Sequence, residues 1–425
     1  YSFITNSDEM NLIWGNSFLH PLYGTSPIWL VGHSYFNFDY SRLIDIHIFN
    51  GLILFLILSL FLTELNSYKK KSILFNKLLF ALLIFILIKY TRLKEFGIDR
   101  PSILLFCFLI YFYFKFFLTS KNNDQLNNFI ILILISITII SIKIIYLPIL
   151  IIPFLVLIQL KKKLLNISYY YIFIFFPIFI FLFKNLFSTG CLVFPFEFTC
   201  LKFLSWSNHL GSNEFSFFNE VFNKSWTSYS GVLSEREYIK DFNWFATWFN
   251  RGKIEIFEYF LTIIFISFIT NFLMRDKFKI EKKYISNLKN FKIALIIIII
   301  FSIFIYLSKN PVIRMNHHIP ISLLVLSIFL VFKSNEQRTK KKIILLFITF
   351  GLLFNLSKNI IRIADNEFVN DPKLIISYKI TPQEKNSLGN FTYYMGWYGN
   401  TPMANDYLHN NKHQKIFIFN IIKNK

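Results

Sequence analysis

Between residues 46 and 357 the chain is built from long apolar runs broken by short charged connections. A helix needs about 20 mostly apolar residues to cross a bilayer, with roughly 17 as a working minimum. The pattern predicts ten spanning helices, over 46–64, 73–90, 102–119, 128–143, 144–160, 167–187, 256–274, 291–308, 320–333 and 342–357. Lys143 and Pro148 interrupt the 128–160 stretch, which reads either as two tight helices or as one broken hairpin. The span at 320–333 is the weakest of the ten.

Outside these runs the pattern changes. Residues 1–45 are punctuated by Pro, Gly and aromatics and predict loop with short helices. Residues 188–255 carry four Trp with mixed charge and predict a folded loop or a set of interfacial helices. The segment 244–260, WFATWFNRGKIEIFEYF, fits an amphipathic helix leading into the next span. Residues 358–425 predict a small tail of short strands that ends on KIFIFNII at 415–422. The expected fold class is therefore an all-α multi-span membrane protein with a small α+β tail.

Composition agrees. Of 425 residues, 54% are hydrophobic and 55 are Phe, and the mean hydropathy is +0.48. That exceeds the roughly 45–50% apolar share of soluble domains. The net charge of +21 needs no nucleic acid to explain it, because the Lys and Arg concentrate in short connections. Lys69–Lys71, Lys121, Lys161–Lys163, the run Arg275 to Lys289, and Lys333 to Lys342 occupy every second connection. The positive-inside rule makes these cytoplasmic. The outer side then holds 1–45, 91–101, the turn near Lys143, 188–255, 309–319 and the tail 358–425. All seven Trp and all eight His fall on that side or within a turn of it. The chain begins at Tyr1, so a cytoplasmic start would require an odd number of earlier spans, most simply one. On that reading 1–45 is the end of a truncated first outer loop.

The sequence holds no P-loop, GxGxxG, HExxH or paired CxxC. ATP hydrolysis, dinucleotide binding and zinc chemistry are unsupported. Cys107 lies in an apolar run, while Cys191 and Cys200 share one loop and could bridge or stay free thiols.

Candidate chemistry sits at the outer ends of the spans. RLKEFGIDRP at 92–101 packs Arg92, Lys94, Glu95, Asp99 and Arg100 between two apolar segments. Ionisable clusters beside hydrocarbon are costly and mark sites, although a solvated loop of paired charges is the plain alternative. Glu95 and Asp99 are four apart and would share a helical face, as a general base or as oxygen ligands of a divalent cation. Arg92, Lys94 and Arg100 suit phosphate. In KNPVIRMNHHIP, 309–320, Arg314 suits a lipid-linked phosphate unless it merely snorkels to headgroups. His317 and His318 follow it, more as polar filler than as catalysts. Lys143 within its apolar run needs a partner or a phosphate. Asp45 and His47 stand just before the first span, and STGCLVFPF at 188–196 shapes the outer surface.

Four stretches, RLKEFGIDRP, KNLFSTGCLVFP, KNPVIRM and FTYYMGWYGNTPM, together resemble an uncharacterised family of bacterial multi-span proteins similar to C-type glycosyltransferases of cell-envelope assembly. The resemblance implies transfer of a sugar from a polyprenyl-phosphate donor to a glycan or glycolipid acceptor, on the outer face of the bacterial inner membrane. Glycosyltransferases of this type place a catalytic carboxylate in the first outer loop. Of the carboxylates there, Asp8, Glu9 and Asp39 match no such motif, a departure from the family pattern. The residues of the 92–101 loop by themselves put forward Glu95 and Asp99 as catalytic, with Arg92, Lys94, Lys143 and Arg314 for phosphate. Two rivals remain: an O-antigen polymerase or ligase, and a polytopic transporter or flippase. Transporters place ionisable groups and broken helices at the midplane, often in paired repeats. Here charge collects at the outer ends and no repeat is found.

Overall fold

The structure is a computed structural model. It describes residues 13–14, 17, 29, 37–39, 45–47, 49–66, 73–89, 99–118, 122–164, 169–273, 282–330, 347–353, 356–357 and 360, and the strands between 384 and 424 given below. The described residues are mostly helical. In chain order the main helices are α1 (Phe49–Asn66), α2 (Ile73–Lys89), α3 (Asp99–Leu118), α4 (Asn122–Ile142), α5 (Ile151–Leu164), α6 (Tyr169–Thr189), α7 (His209–Asn223), α8 (Phe245–Leu273), α9 (Lys282–Ser308) and α10 (His318–Leu330).

Among the described residues five stretches are long and apolar enough to cross a membrane: Phe49–Asn66, Asp99–Phe117, Gln125–Ile142, Phe245–Leu273 and Leu288–Ser308. Ile144–Leu160, Phe175–Thr189 and His318–Phe329 are apolar but shorter. The chain is a membrane-embedded protein.

The fold divides into two compact units. One comprises Asn50–Ile174 and Asn223–Val369. Its centre is α2, which is apolar on every side and sealed from solvent, with Leu78, Leu79, Phe80 and Leu82 fully buried. A helix hydrophobic all round is stable only when other helices cover it. Here α3, α8 and α10 do so, and α3 packs in turn on α4 and α9. Rings fill the seams, for example Phe114 against Phe291 and Phe329. The perimeter is apolar and exposed, with Phe257, Phe260 and Phe268 on α8 and Ile300, Phe301 and Phe304 on α9. In water such a surface would be a liability; in hydrocarbon it costs nothing.

Local chemistry explains the boundaries at the end of this unit that matters below. Asp99 sits in the first turn of α3, where a carboxylate complements the helix dipole, and Pro101 follows where a missing N–H is harmless. After α4, Lys143 is extended at φ −147° and breaks the helix. A 3-10 turn Ile144–Leu150 containing Pro148 follows, then α5. Of the two readings of 128–160, the structure has separate helices. The amphipathic stretch 244–260 and the following span form one continuous 29-residue helix, α8. Gly252, a poor helix former, lies in its early turns and does not break it.

The other unit comprises Tyr1–Phe49, Phe175–Phe222 and Asn370–Lys425. Its described residues include the short strands β1 (Ile13–Trp14), β2 (Asn37–Asp39), β3 (Asp45–His47), β4 (Glu384–Leu388), β5 (Phe391–Met395), β6 (Met403–Ala404), β7 (Asn411–Ile416) and β8 (Phe419–Asn424). They form sheets β1-β8-β7, β2-β3 and β4-β5-β6. β1 is parallel to β8, with Ile13 opposite Asn420. The hairpin β2-β3 replaces the helices expected before the first span. Asp45, Ile46, His47 and Ile48 alternate polar and apolar, which is a strand period rather than a helical one. Cys191 and Cys200, left open by the sequence, are joined by a disulfide.

Candidate functional site

At one end of the helical unit, six segments present charged or polar side chains to one another. α2 ends on Lys89, α3 begins with Asp99 and Arg100, and α4 is followed by Lys143. α8 brings Glu255, Glu258 and Tyr259. The 3-10 turn Ile313–Met315 and the start of α10 bring Arg314, His317 and His318.

Lys143, almost fully buried, forms an ion pair with Asp99, which is 29% exposed. Its ammonium also reaches Met315 Sδ at 3.6 Å. Lys89 is 6% exposed and pairs with Glu258 Oε1 at 2.7 Å, while its ammonium lies 3.9 Å above the Tyr259 ring. Arg100 donates from Nη1 to the Lys89 carbonyl at 2.5 Å, tying α3 to the end of α2. Ser102 Oγ donates to the Asp99 carbonyl at 2.8 Å and fixes the first turn of α3. Arg314 is exposed and makes no hydrogen bond or ion pair among the described residues, and its charge acts on Lys143 and on Glu255. Asp99 attracts the Lys143 charge; Arg314 and Arg100 oppose it.

His317 and His318 lie beneath this layer, 1% and 0% exposed. The His317 ring stands 5.7 Å from Tyr259 and the His318 ring 4.3 Å from Tyr146, and among the described residues none of their four ring nitrogens meets a hydrogen-bond partner. Burial, and after it Lys143, Arg100, His318 and Lys89, hold the His317 pKa well below the usual 6.5, so the ring is neutral at neutral pH.

The loop that carries Arg314 is fastened from two sides. Trp248 Nε1 on α8 donates to the Pro311 carbonyl. Asn316 Nδ2 donates to the carbonyls of Asn310 and Val312, at 3.0 and 2.9 Å. Trp248 is itself set in an aromatic cluster with Tyr238 and Trp244, flanked by Trp226, Tyr229 and Tyr306. Tyr238 closes that cluster by donating to the Lys224 carbonyl at 2.7 Å. A capping box at Ser234 and Glu237 starts the adjoining helical turn Glu235–Tyr238, and the Ser234 hydrogen bonds hold the Glu237 carboxyl below the usual range.

Of the residues singled out by sequence, the structure brings together Asp99, Lys143, Arg314 and His317. Arg92, Lys94 and Glu95 lie outside the described residues. Asp45 and His47 have a described backbone, paired opposite Asp39 and Asn37, in the other unit. Sequence reasoning passed over Lys89, Glu255 and Glu258. The two glutamates stand three apart beside Tyr259, a spacing that puts them on one helical face, but they fell in a segment assigned to the membrane surface. Among the described residues no group of three His, Cys, Asp or Glu could hold a metal ion.

A second polar cluster lies on α1 and α3, toward their C-terminal ends. Tyr111 donates to Glu64 at 2.9 Å, and Lys115 approaches the same carboxylate at 3.6 Å.

A family model described as a domain of unknown function, DUF8201, matches residues 1–319. No curated protein and no solved structure matches the chain significantly.

Proposed function

The chain belongs to the DUF8201 family, and we propose that it is an integral membrane glycosyltransferase acting on lipid-phosphate-linked sugars. The observation that carries this reading is the state of the cations at the charged end of the helical unit. Lys89 and Lys143 are each engaged by a carboxylate, and Arg100 by a carbonyl. Arg314, at the exposed rim, is engaged by nothing among the described residues. A planar, permanently charged guanidinium in that position is suited to a phosphate held in two hydrogen bonds, and the surrounding apolar surface suits a lipid tail.

In this reading the acceptor hydroxyl oxygen attacks the anomeric carbon of the donor. The bond from that carbon to the phosphate oxygen breaks, and its electrons leave with the lipid phosphate. The hydroxyl proton passes to a carboxylate, Asp99 or its neighbour in sequence Glu95. Arg314, Arg100 and Lys143 oppose the charge that grows on the leaving phosphate, and Arg92 and Lys94 join them. The result is inversion at the anomeric carbon. A divalent cation on the carboxylates would add to the same stabilisation. The reading also takes the charged end as the outer side of a bacterial inner membrane, with ten spans and an outer α+β tail. The Cys191–Cys200 disulfide supports an outer location for its own loop, since such bonds persist in oxidising compartments. The placement of Lys89, Asp99 and Lys143 at or beside helix ends favours this enzyme over the transporter.

The test is the lipid that travels with the protein. Purified in mild detergent, the wild type should carry a polyprenyl-phosphate-linked sugar detectable by mass spectrometry of the extracted lipids, and Arg314→Ala should carry much less. A wild type that retains only bulk phospholipid would overturn the reading.

A further inference from the structure

The loop after α6 has a construction that the sugar-transfer reading does not use. Phe175, Phe176, Phe179 and Phe183 on α6 are exposed, and three of them recur at four-residue spacing along one face. The helix ends at Gly190, whose φ is +70° and whose N–H donates to the Leu186 carbonyl at 2.8 Å. This is a left-handed helix stop, and it admits only glycine here, because a Cβ would come within 2.4 Å of Ser207 Cα.

The chain then folds back at once. The Cys191–Cys200 disulfide closes the loop, and Leu192 N–H donates to the Thr199 carbonyl at 3.0 Å. Thr199 Oγ1 fixes its interior, accepting from Val193 N–H at 3.1 Å. Three bonds tie the loop and its exit to α6: Asn185 Nδ2 to the Leu192 carbonyl at 3.2 Å, Trp206 Nε1 to the Leu186 carbonyl at 3.1 Å, and Asn208 N–H to the Thr189 carbonyl at 2.9 Å. Inside, Cys191, Phe194 and Cys200 pack with Phe215. Outside, the pattern is inverted. Phe198 is 87% exposed and Phe203 82%; Lys202, between them in sequence, is 66% exposed and lies 3.6 Å from Glu197 Oε1, an exposed pair weak enough to exchange for a headgroup phosphate. A loop this firmly fastened cannot hide these rings by rearranging. It holds two Phe outward, directly after a helix whose own exposed Phe face belongs in hydrocarbon.

We infer that the Cys191–Cys200 loop is an anchor in the membrane interface, with Phe198 and Phe203 seated among the lipid acyl chains just below the headgroups. Lys202 meets the lipid phosphates. Aromatic rings and a neighbouring cation are the combination that the interface favours. The occupant is the bilayer, because the loop is bonded to the end of α6 and exposes Leu192 and Phe196 as well as the two rings, an apolar surface that water disfavours.

The experiment places p-benzoylphenylalanine, a photoreactive Phe analogue, at 198 or at 203 in the full chain, reconstituted in phosphatidylethanolamine and phosphatidylglycerol vesicles. The replaced rings are exposed, so the fold should tolerate the change. Phe179 on α6 serves as the lipid-facing reference and Val232, fully exposed, as the aqueous one. After irradiation, intact-mass analysis should show phospholipid adducts from positions 198 and 203 at a yield within about threefold of position 179, and none from 232. Absence of lipid adducts at 198 and 203, with adducts at 179, overturns the anchor. A crosslink from 198 or 203 to another segment of the chain overturns it too, since protein would then cover the loop. Neither result bears on sugar transfer.

Discussion

Lys143 and Asp99 are 44 residues apart in sequence, yet they form an ion pair that joins the end of α4 to the beginning of α3. Both positions were legible as charges beside apolar runs. Their partnership was not, because it depends on how α3 and α4 pack side by side. A buried ammonium deprived of its carboxylate costs more than the pair contributes net. Asp99→Asn should therefore destabilise the protein by about 1–3 kcal/mol, discounted for the partial exposure of the aspartate. Lys143→Met with Asp99→Asn should restore part of the loss. Thermal unfolding of the single and double variants in detergent gives the coupling, and additive losses would show that the pair is not coupled.

His317 gives a pH dependence with a definite sign. Its pKa in the fold lies well below 6.5, while in the unfolded chain it is near 6.5. The unfolded state therefore binds the extra proton first. Full stability is present above about pH 6.5 and is lost as pH falls toward the folded pKa, at up to about 1.4 kcal/mol per pH unit. Carboxylates also titrate in acid, so the comparison is with His317→Gln. Between about pH 6.5 and 5 the wild type should lose melting temperature more steeply than the variant, and equal slopes would mean that the ring is not buried neutral.

The helices themselves were largely legible, because a long apolar run in this composition has few alternatives to a helix. Two features escaped for different reasons. Glu255, Glu258 and Lys89 join the site through tertiary packing of α8 on α2, which periodicity does not report. The Pro, Gly and aromatics upstream of Asp45 and His47 predict loop with short helices, and the alternation of Asp45, Ile46 and His47 is too short to signal a strand against them. Glu95, on which the sequence reading placed a catalytic role, lies outside the described residues, so the carboxylate assignment rests on Asp99.

Orientation is open to a direct test. The positive-inside rule predicts 66–72 in the cytoplasm and 188–255 outside, and Cys191 and Cys200 are already bridged. With Cys107 replaced by Ala, a thiol introduced at Ser228 should react with a membrane-impermeant maleimide on intact cells. One introduced at Ser72 should react only after permeabilisation. The reverse pattern would put the charged cluster on the cytoplasmic side.

Gly190 should tolerate no side chain. Its positive φ and the Ser207 backbone behind it both exclude a Cβ. Gly190→Ala should cost about 1–3 kcal/mol or more, from backbone strain plus a clash that only movement of the loop can relieve. Limited proteolysis of the folded protein should then cut within 188–208 at least about tenfold faster than in the wild type. Unchanged cleavage would mean that the loop accommodates the methyl group.

Arg314 separates a binding role from a structural one. It is exposed and makes no ion pair among the described residues, so its removal should leave thermal stability within about 0.5 kcal/mol of the wild type. Lys143→Ala, by contrast, should lose both stability and function, and so cannot tell the two apart. If Arg314 holds the donor phosphate, Arg314→Ala should weaken binding of farnesyl methyl phosphate, a charged phosphodiester with a prenyl tail, by about tenfold or more. Arg314→Lys should recover only part of that, since a point charge replaces a planar fork. A residue that binds substrate and transition state alike raises KM and leaves kcat, whereas one acting mainly on the departing phosphate lowers kcat. An arginine that only snorkels to headgroups predicts neither change, and the Lys variant would then bind as well as the wild type. Full affinity in Arg314→Ala would remove it from the site and leave Lys143 and Arg100 as the phosphate ligands.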